Sequence, residues 1–202
     1  PSLKIERMDK PEPRPIRADE VSAGLAKAGQ VVLGYAEMVR SWWSENLSAR
    51  PNEIRFSDAT YLSVGGVQDR IHGFGTWRKA ESEALVVVFT PPQCEYWSFQ
   101  LCNLWQENLD NYEDGQGYVT KFTSSVEPDG SVRVVIAERN PCIGGNWIDS
   151  FGHTLGICSL RFIKTMGAPE VKIYPLSLEQ LEGEGVTCLV EDIAIVSGEV
   201  KD

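Results

Sequence analysis

Pro91-Pro92-Gln93-Cys94-Glu95-Tyr96-Trp97-Ser98-Phe99-Gln100-Leu101-Cys102-Asn103-Leu104-Trp105-Gln106-Glu107-Asn108-Leu109-Asp110 is the stretch on which the reading of this chain turns. As a strand, alternate residues point to opposite faces, so Trp97, Phe99, Leu101, Asn103 and Trp105 share one side. All but Asn103 are large and apolar. That amide, set into an aromatic wall, needs partners, because leaving it unpaired costs about 1 to 3 kcal/mol. Either the protein or a ligand must supply them. Beyond Trp105 the chain turns polar through Glu107 and Asp110.

Just upstream, Ala84 to Thr90 is apolar on both faces, which predicts a central strand covered on each side and stopped by Pro91-Pro92. Further strands are expected at Phe56 to Val64, Gln68 to Trp77, Tyr118 to Val126, Ser131 to Glu138, His153 to Ile163, Val171 to Tyr174 and Cys188 to Val196. Asp129-Gly130 is a hairpin signal between two of them. The segment Arg139 to Gly152, with Asn-Pro and Gly-Gly, reads as a loop. Two helices stand apart from this pattern. From Asp19, a candidate N-cap, Val21, Leu25, Ala28, Val32, Tyr35, Val39 and Trp42 recur in steps of four and three along one face. Ser177 followed by Gln180 is a capping-box pattern opening a short second helix. The sum is a mainly β chain, an antiparallel jelly-roll-like β-sandwich over residues 51–202, preceded by a proline-rich arm (1–18) and a long N-terminal amphipathic helix (19–50).

The chain has 202 residues, 42% of them hydrophobic, enough for a substantial core. Its 19 basic and 29 acidic residues give a net charge of -10, which disfavours nucleic acid and anionic lipid surfaces as partners. No apolar run approaches the roughly 20 residues of a membrane-spanning helix. Five widely spaced cysteines, Cys94, Cys102, Cys142, Cys158 and Cys188, suit reduced thiols in a cytoplasm. No spacing announces a metal site, and no phosphate-binding glycine loop is present, so neither metal nor cofactor is expected.

His153, in the turn Phe151-Gly152-His153-Thr154-Leu155-Gly156, is the candidate acid or base, and Asp149 four residues upstream could orient it. The competing reading is a histidine that fixes the turn through the backbone. His72 completes no constellation. Arg161 shares a strand face with Leu155 and Ile157, where its guanidinium must find a carboxylate or stay exposed; Glu107, Asp110 and Asp149 are the candidates for a structural ion pair. Cys158 as a nucleophile for His153 is disfavoured, since their odd spacing points the two side chains apart.

The segments Ala84-Leu85-Val86-Val87-Val88, Tyr96-Trp97-Ser98-Phe99, Asp129-Gly130-Ser131, Asn146-Trp147-Ile148-Asp149 and Gly152-His153-Thr154-Leu155-Gly156 through Arg161-Phe162 resemble, in order, the bacterial family catalogued as domain of unknown function 1214. The resemblance covers roughly Ile71 to Ile163 and implies a β-sandwich core without assigning a reaction. Some similar proteins carry a fused partner domain, numbered 1254. The polar positions it marks are Asn103, Glu107, Asp110, Asn146, Asp149, His153 and Arg161.

Three functions fit these residues. In the first, a small hydrophobic or mixed polar and apolar ligand enters a pocket lined by Trp97, Trp105 and Trp147 and is oriented by Asn103, Asn146 and His153, with Asp110 and Arg161 as further ligand-binding positions. In the second, a cofactor-free hydrolase or lyase uses His153 with Asp149 or Glu107. In the third, the helix stripe from Leu25 to Trp42 assembles a homodimer and every polar residue is satisfied internally, which a dry core without a cavity would select.

Overall fold

The computed structural model describes residues 2–6, 8–9, 14–57, 62, 65–67, 69–110, 117–142 and 145–184. The expected strand at Cys188 to Val196, most of the acidic, glycine-bearing sequence from Asp110 to Gly117, which reads as a loop, and the latter part of the expected strand at Phe56 to Val64 lie outside these residues.

The chain divides into two compact units, Pro1–Met38 and Val39–Asp202. The first contains nearly all of helix α1, Ala18–Val39. Asp19 does not cap it. It lies inside the first turn, where its carboxylate accepts from Arg17 Nε at 3.0 Å, and the neighbouring Glu20 accepts from the Arg17 backbone N–H at 3.1 Å. An acidic first turn suits the positive end of the helix dipole. Along the apolar stripe of α1, Val21, Leu25 and Val32 are 49%, 69% and 68% exposed.

In the second unit, a π-helical turn over Arg40–Ser44 leads into the short helix α2, Glu45–Ala49. Among the described residues nine strands follow: β1 (Glu53–Phe56), β2 (Arg70–Arg78), β3 (Glu83–Phe89), β4 (Tyr96–Cys102), β5 (Tyr118–Thr120), β6 (Val132–Ala137), β7 (Asn146–Asp149), β8 (Leu155–Ile163) and β9 (Val171–Ser177). Helix α3, Leu178–Glu184, follows β9. It opens with the expected capping box, Gln180 N–H donating to Ser177 Oγ at 3.1 Å and Ser177 N–H to Gln180 Oε1 at 3.2 Å.

The strands form a five-stranded sheet, β1-β2-β8-β4-β5, and a four-stranded sheet, β7-β6-β3-β9. Among the named strands the described pairings are antiparallel except β6 with β7, which is parallel and departs from the wholly antiparallel expectation. β7 itself lies inside the segment expected to be a loop. One core lies between the sheets: Trp97, Phe99 and Leu101 of β4 and Cys158, Leu160 and Phe162 of β8 meet Leu85, Val87 and Phe89 of β3. Trp97 packs edge-on against Phe89, with ring centroids 5.2 Å apart. On the other face of β3, Ala84 and Val86 join Val135, Leu176 and Leu181 of α3 in a second cluster. β3 is thus covered on both sides, as its sequence predicts.

Two strands close tightly because of one glycine. A Cβ at Gly156 would sit 2.2 Å from Cys102 O and 2.8 Å from Trp77 Nε1. The missing side chain lets the wholly buried Trp77 indole N–H reach Cys102 O at 3.3 Å and Ile157 O at 3.2 Å. Among the described residues no helix is long and apolar enough to cross a membrane.

Candidate functional site

The residues singled out by spacing are dispersed. Trp97 is 2% exposed in the inter-sheet core, whereas Trp147 packs against the cluster on the outer side of the four-stranded sheet and donates its Nε1–H to Ala137 O at 3.1 Å. Trp105 is 52% exposed beyond the end of β4. Three tryptophans on three surfaces do not line a common pocket.

Asn103 explains why β4 stops at Cys102 rather than running on to Trp105. Its Oδ1 accepts from the backbone N–H groups of Trp105 at 2.9 Å and Glu107 at 3.1 Å, and its Nδ2 donates to Glu107 Oε2 at 2.6 Å. The amide closes a turn, and Glu107 is its clasp. Asn146 is buried and equally occupied, bonding Ser125 N at 2.7 Å, Ser125 O at 2.8 Å and Arg133 O at 2.8 Å. Asp149 Oδ1 accepts from Phe151 N–H at 2.6 Å and holds Phe151 at φ 48°. Asp110 is half-buried; its Oδ1 has no hydrogen-bond partner among the described residues.

His153 is exposed, and its backbone N–H donates to Ser150 O at 2.8 Å. It shares a turn with Asp149, and because Cys102 pairs with Ile157 the Asn103–Glu107 turn lies at the same end of the five-stranded sheet. No described hydrogen bond joins the imidazole to Asp149, Asn103 or Glu107, so the geometry that positions an acid or base is missing among the described residues. Cys158 is wholly enclosed, and burial pushes its thiol up to about 12, which leaves it inert.

What assembles instead lies on the outer face of the five-stranded sheet. Arg161 of β8 sits directly across from His72 of β2 on one side and Ser98 of β4 on the other. Two residues along, Ser159 sits across from Phe74 and Gln100. Arg161 Nε donates to His72 Nε2 at 3.3 Å, so the imidazole is neutral with its proton on Nδ1. His72 is 4% exposed, with the Phe74 ring 3.8 Å from its own, centroid to centroid, and Trp43 packs in turn on Phe74 at 5.8 Å. Burial, and secondarily the Arg161 charge, lower the His72 pKa to about 4.

Among the described residues no carboxylate pairs with Arg161, and His72 is the partner of its guanidinium. The expected ion pair fails for a topological reason: Asp149 belongs to the other sheet, and Glu107 and Asp110 lie beyond the end of β4. Arg70, two residues before His72 on the same strand face, likewise has no described carboxylate partner. The side chains of Ser98, Gln100 and Ser159 make no described hydrogen bond. Two cationic side chains, and three polar ones without a partner among the described residues, therefore share one sheet face. His72 and Arg161 are 89 residues apart in the chain, and only strand register brings them together.

A separate open groove of about 490 Å³ runs between the β3–β4 and β8–β9 loops, lined by Pro92, Gln93, Cys94, Glu95, Lys164, Met166 and Gly167. It contains none of the tryptophans.

No family model matches the chain, and no curated protein does. Among solved structures, an uncharacterised protein from Burkholderia cenocepacia is similar, at 28% identity and a TM-score of 0.75, over 87% of this chain and 49% of that one. A Vibrio parahaemolyticus protein aligns at 13% identity and a TM-score of 0.45, over 81% of this chain and 47% of that one. This chain thus spans about half the length of both, and the Burkholderia structure shares its mainly β, two-sheet architecture.

Proposed function

We propose that the outer face of the five-stranded sheet binds a small anionic molecule, one carrying a carboxylate or phosphate group, with Arg161 as the anchor. The observation that carries this reading is a guanidinium held by a neutral imidazole and left without a carboxylate among the described residues. His72 engages Nε, which leaves the terminal nitrogens to form a paired contact with two oxygens of a ligand. Ser98, Gln100 and Ser159 offer uncommitted hydroxyl and amide groups beside it, and Arg70 adds charge along the rim. In a chain of net charge -10, a cationic patch with no carboxylate partner among the described residues is a local exception. We assign the chain to a reducing compartment, the cytoplasm, since its described cysteines are all free thiols.

Calorimetric and NMR titrations with inorganic phosphate and with succinate test the reading, following the Arg161 side-chain Nε–H signal. Arg161→Gln is expected to weaken binding roughly tenfold or more while stability changes by less than about 1 kcal/mol. Arg161→Lys keeps the charge but not the fork and falls between the two. Binding that survives Arg161→Gln, or no response to either anion, sinks the idea.

A further inference from the structure

The helical turns packed on β2 carry an unmet donor. Val39, Trp43 and Leu47 recur every fourth residue through the π-helical turn and α2, and all three are buried. Turns and sheet both belong to the second unit, Val39–Asp202, and Arg55 of β1 ties them together by donating to Asn46 Oδ1 at 2.7 Å. Trp43 lies on Phe74, 5.8 Å between ring centroids, and is only 6% exposed, while its neighbour Trp42 is 39% exposed. Burial that suits the indole ring does not suit its N–H. Trp43 Nε1 is enclosed and has no hydrogen-bond partner among the described residues. An indole nitrogen can only donate, so an acceptor has to come to it.

Strand register sets that donor beside the anchor. Phe74 sits across from Ser159, and Arg161 is two residues further along β8 on the same face, about 7 Å away at the rise of a strand. On the anion-binding reading above, we infer that the anion held by Arg161 also carries an uncharged carbonyl oxygen that accepts from Trp43 Nε1. The ligand class is then a keto acid, or an acid bearing an ester or amide carbonyl, with a few bonds between the carbonyl and the anionic group. The oxygen is uncharged because Nε1 is a single donor in apolar surroundings, where a second carboxylate would lose its water without gaining a cation. A bare inorganic anion satisfies Arg161 and leaves the indole unmet.

Calorimetric titration of the full chain compares levulinate with pentanoate, and the one-carbon-longer keto acid with hexanoate; within each pair only the ketone oxygen differs. At least one keto acid is expected to bind roughly tenfold more tightly than its match, which is what a hydrogen bond to an otherwise unmet buried donor supplies. Trp43→Phe keeps a ring on Phe74 and lacks the N–H, so it should erase that preference and leave pentanoate and hexanoate binding as it was. In the intact chain the Trp43 indole N–H resonance should move with the keto acid and stay in place with its match, a readout that does not depend on how the variant folds. Acids that bind through Arg161 with equal affinity within each pair, or that leave the Trp43 indole signal unmoved, overturn the carbonyl contact alone. Binding of neither acid, or binding indifferent to Arg161→Gln, overturns the anion site as well.

Discussion

Acidification puts the His72–Arg161 contact under a defined load. Unfolded, a histidine takes up its proton near pH 6.5; in the folded chain His72 does so only near pH 4, because burial and, secondarily, the Arg161 guanidinium oppose the charge. Between those values the unfolded state binds more protons than the folded one. Stability from this group is therefore complete above pH 6.5, falls as pH falls, and is lost by about pH 4. A gap of that size is worth about 3 kcal/mol at about 1.4 kcal/mol per pH unit, and about 2 to 3 kcal/mol once solvent screening near the sheet face is allowed for. Urea unfolding at a series of pH values measures it. Carboxylates also titrate toward pH 4, so the informative quantity is the difference between the intact chain and His72→Gln, which keeps an acceptor for Arg161 and cannot titrate. The variant should lose about 2 kcal/mol or more less stability across the window than the intact chain. His153→Gln, at an exposed turn, controls for the removal of a histidine. Parallel pH profiles for the intact chain and His72→Gln would refute the argument.

Other changes test the scaffold around this face. Gly156→Ala drives a methyl group into Cys102 O and the Trp77 indole; it should cost about 2 to 4 kcal/mol in urea unfolding, and a variant as stable as the intact chain would contradict the close approach. Asn146→Ala removes three hydrogen bonds and leaves part-buried backbone groups at Ser125 and Arg133 to find new partners, for a loss of about 1 to 3 kcal/mol; an unchanged urea midpoint would mean that the amide is not needed to hold β7 in place.

Periodicity was informative where a face was decided locally. β3 announces burial on both sides, and β4 announces its inward residues Trp97, Phe99 and Leu101, because the pleat alone determines those directions. It misled where one side chain overrode the period: Asn103 looked like an amide on a strand but ends that strand by capping the turn that follows. β7 escaped notice because four residues between Gly145 and Ser150 sit in turn-rich sequence, and their parallel pairing with β6 follows from no local pattern. The α1 stripe reveals an apolar side but not what it faces. The His72–Arg161 pair depends on how β2 and β8 align, a relation between distant segments that neither strand contains by itself.

The indole of Trp77 has a further use, as a clock. Its N–H is enclosed at the junction of β2, β4 and β8 and shared between two backbone carbonyls, so water reaches it only when those three strands separate. Deuterium exchange at that one proton would time the opening of the entire five-stranded sheet, while the half-exposed indole of Trp105 would exchange with local fluctuations. The chain thus carries its own pair of reporters, one for cooperative unfolding and one for loop breathing, distinguishable in a single spectrum without any added label.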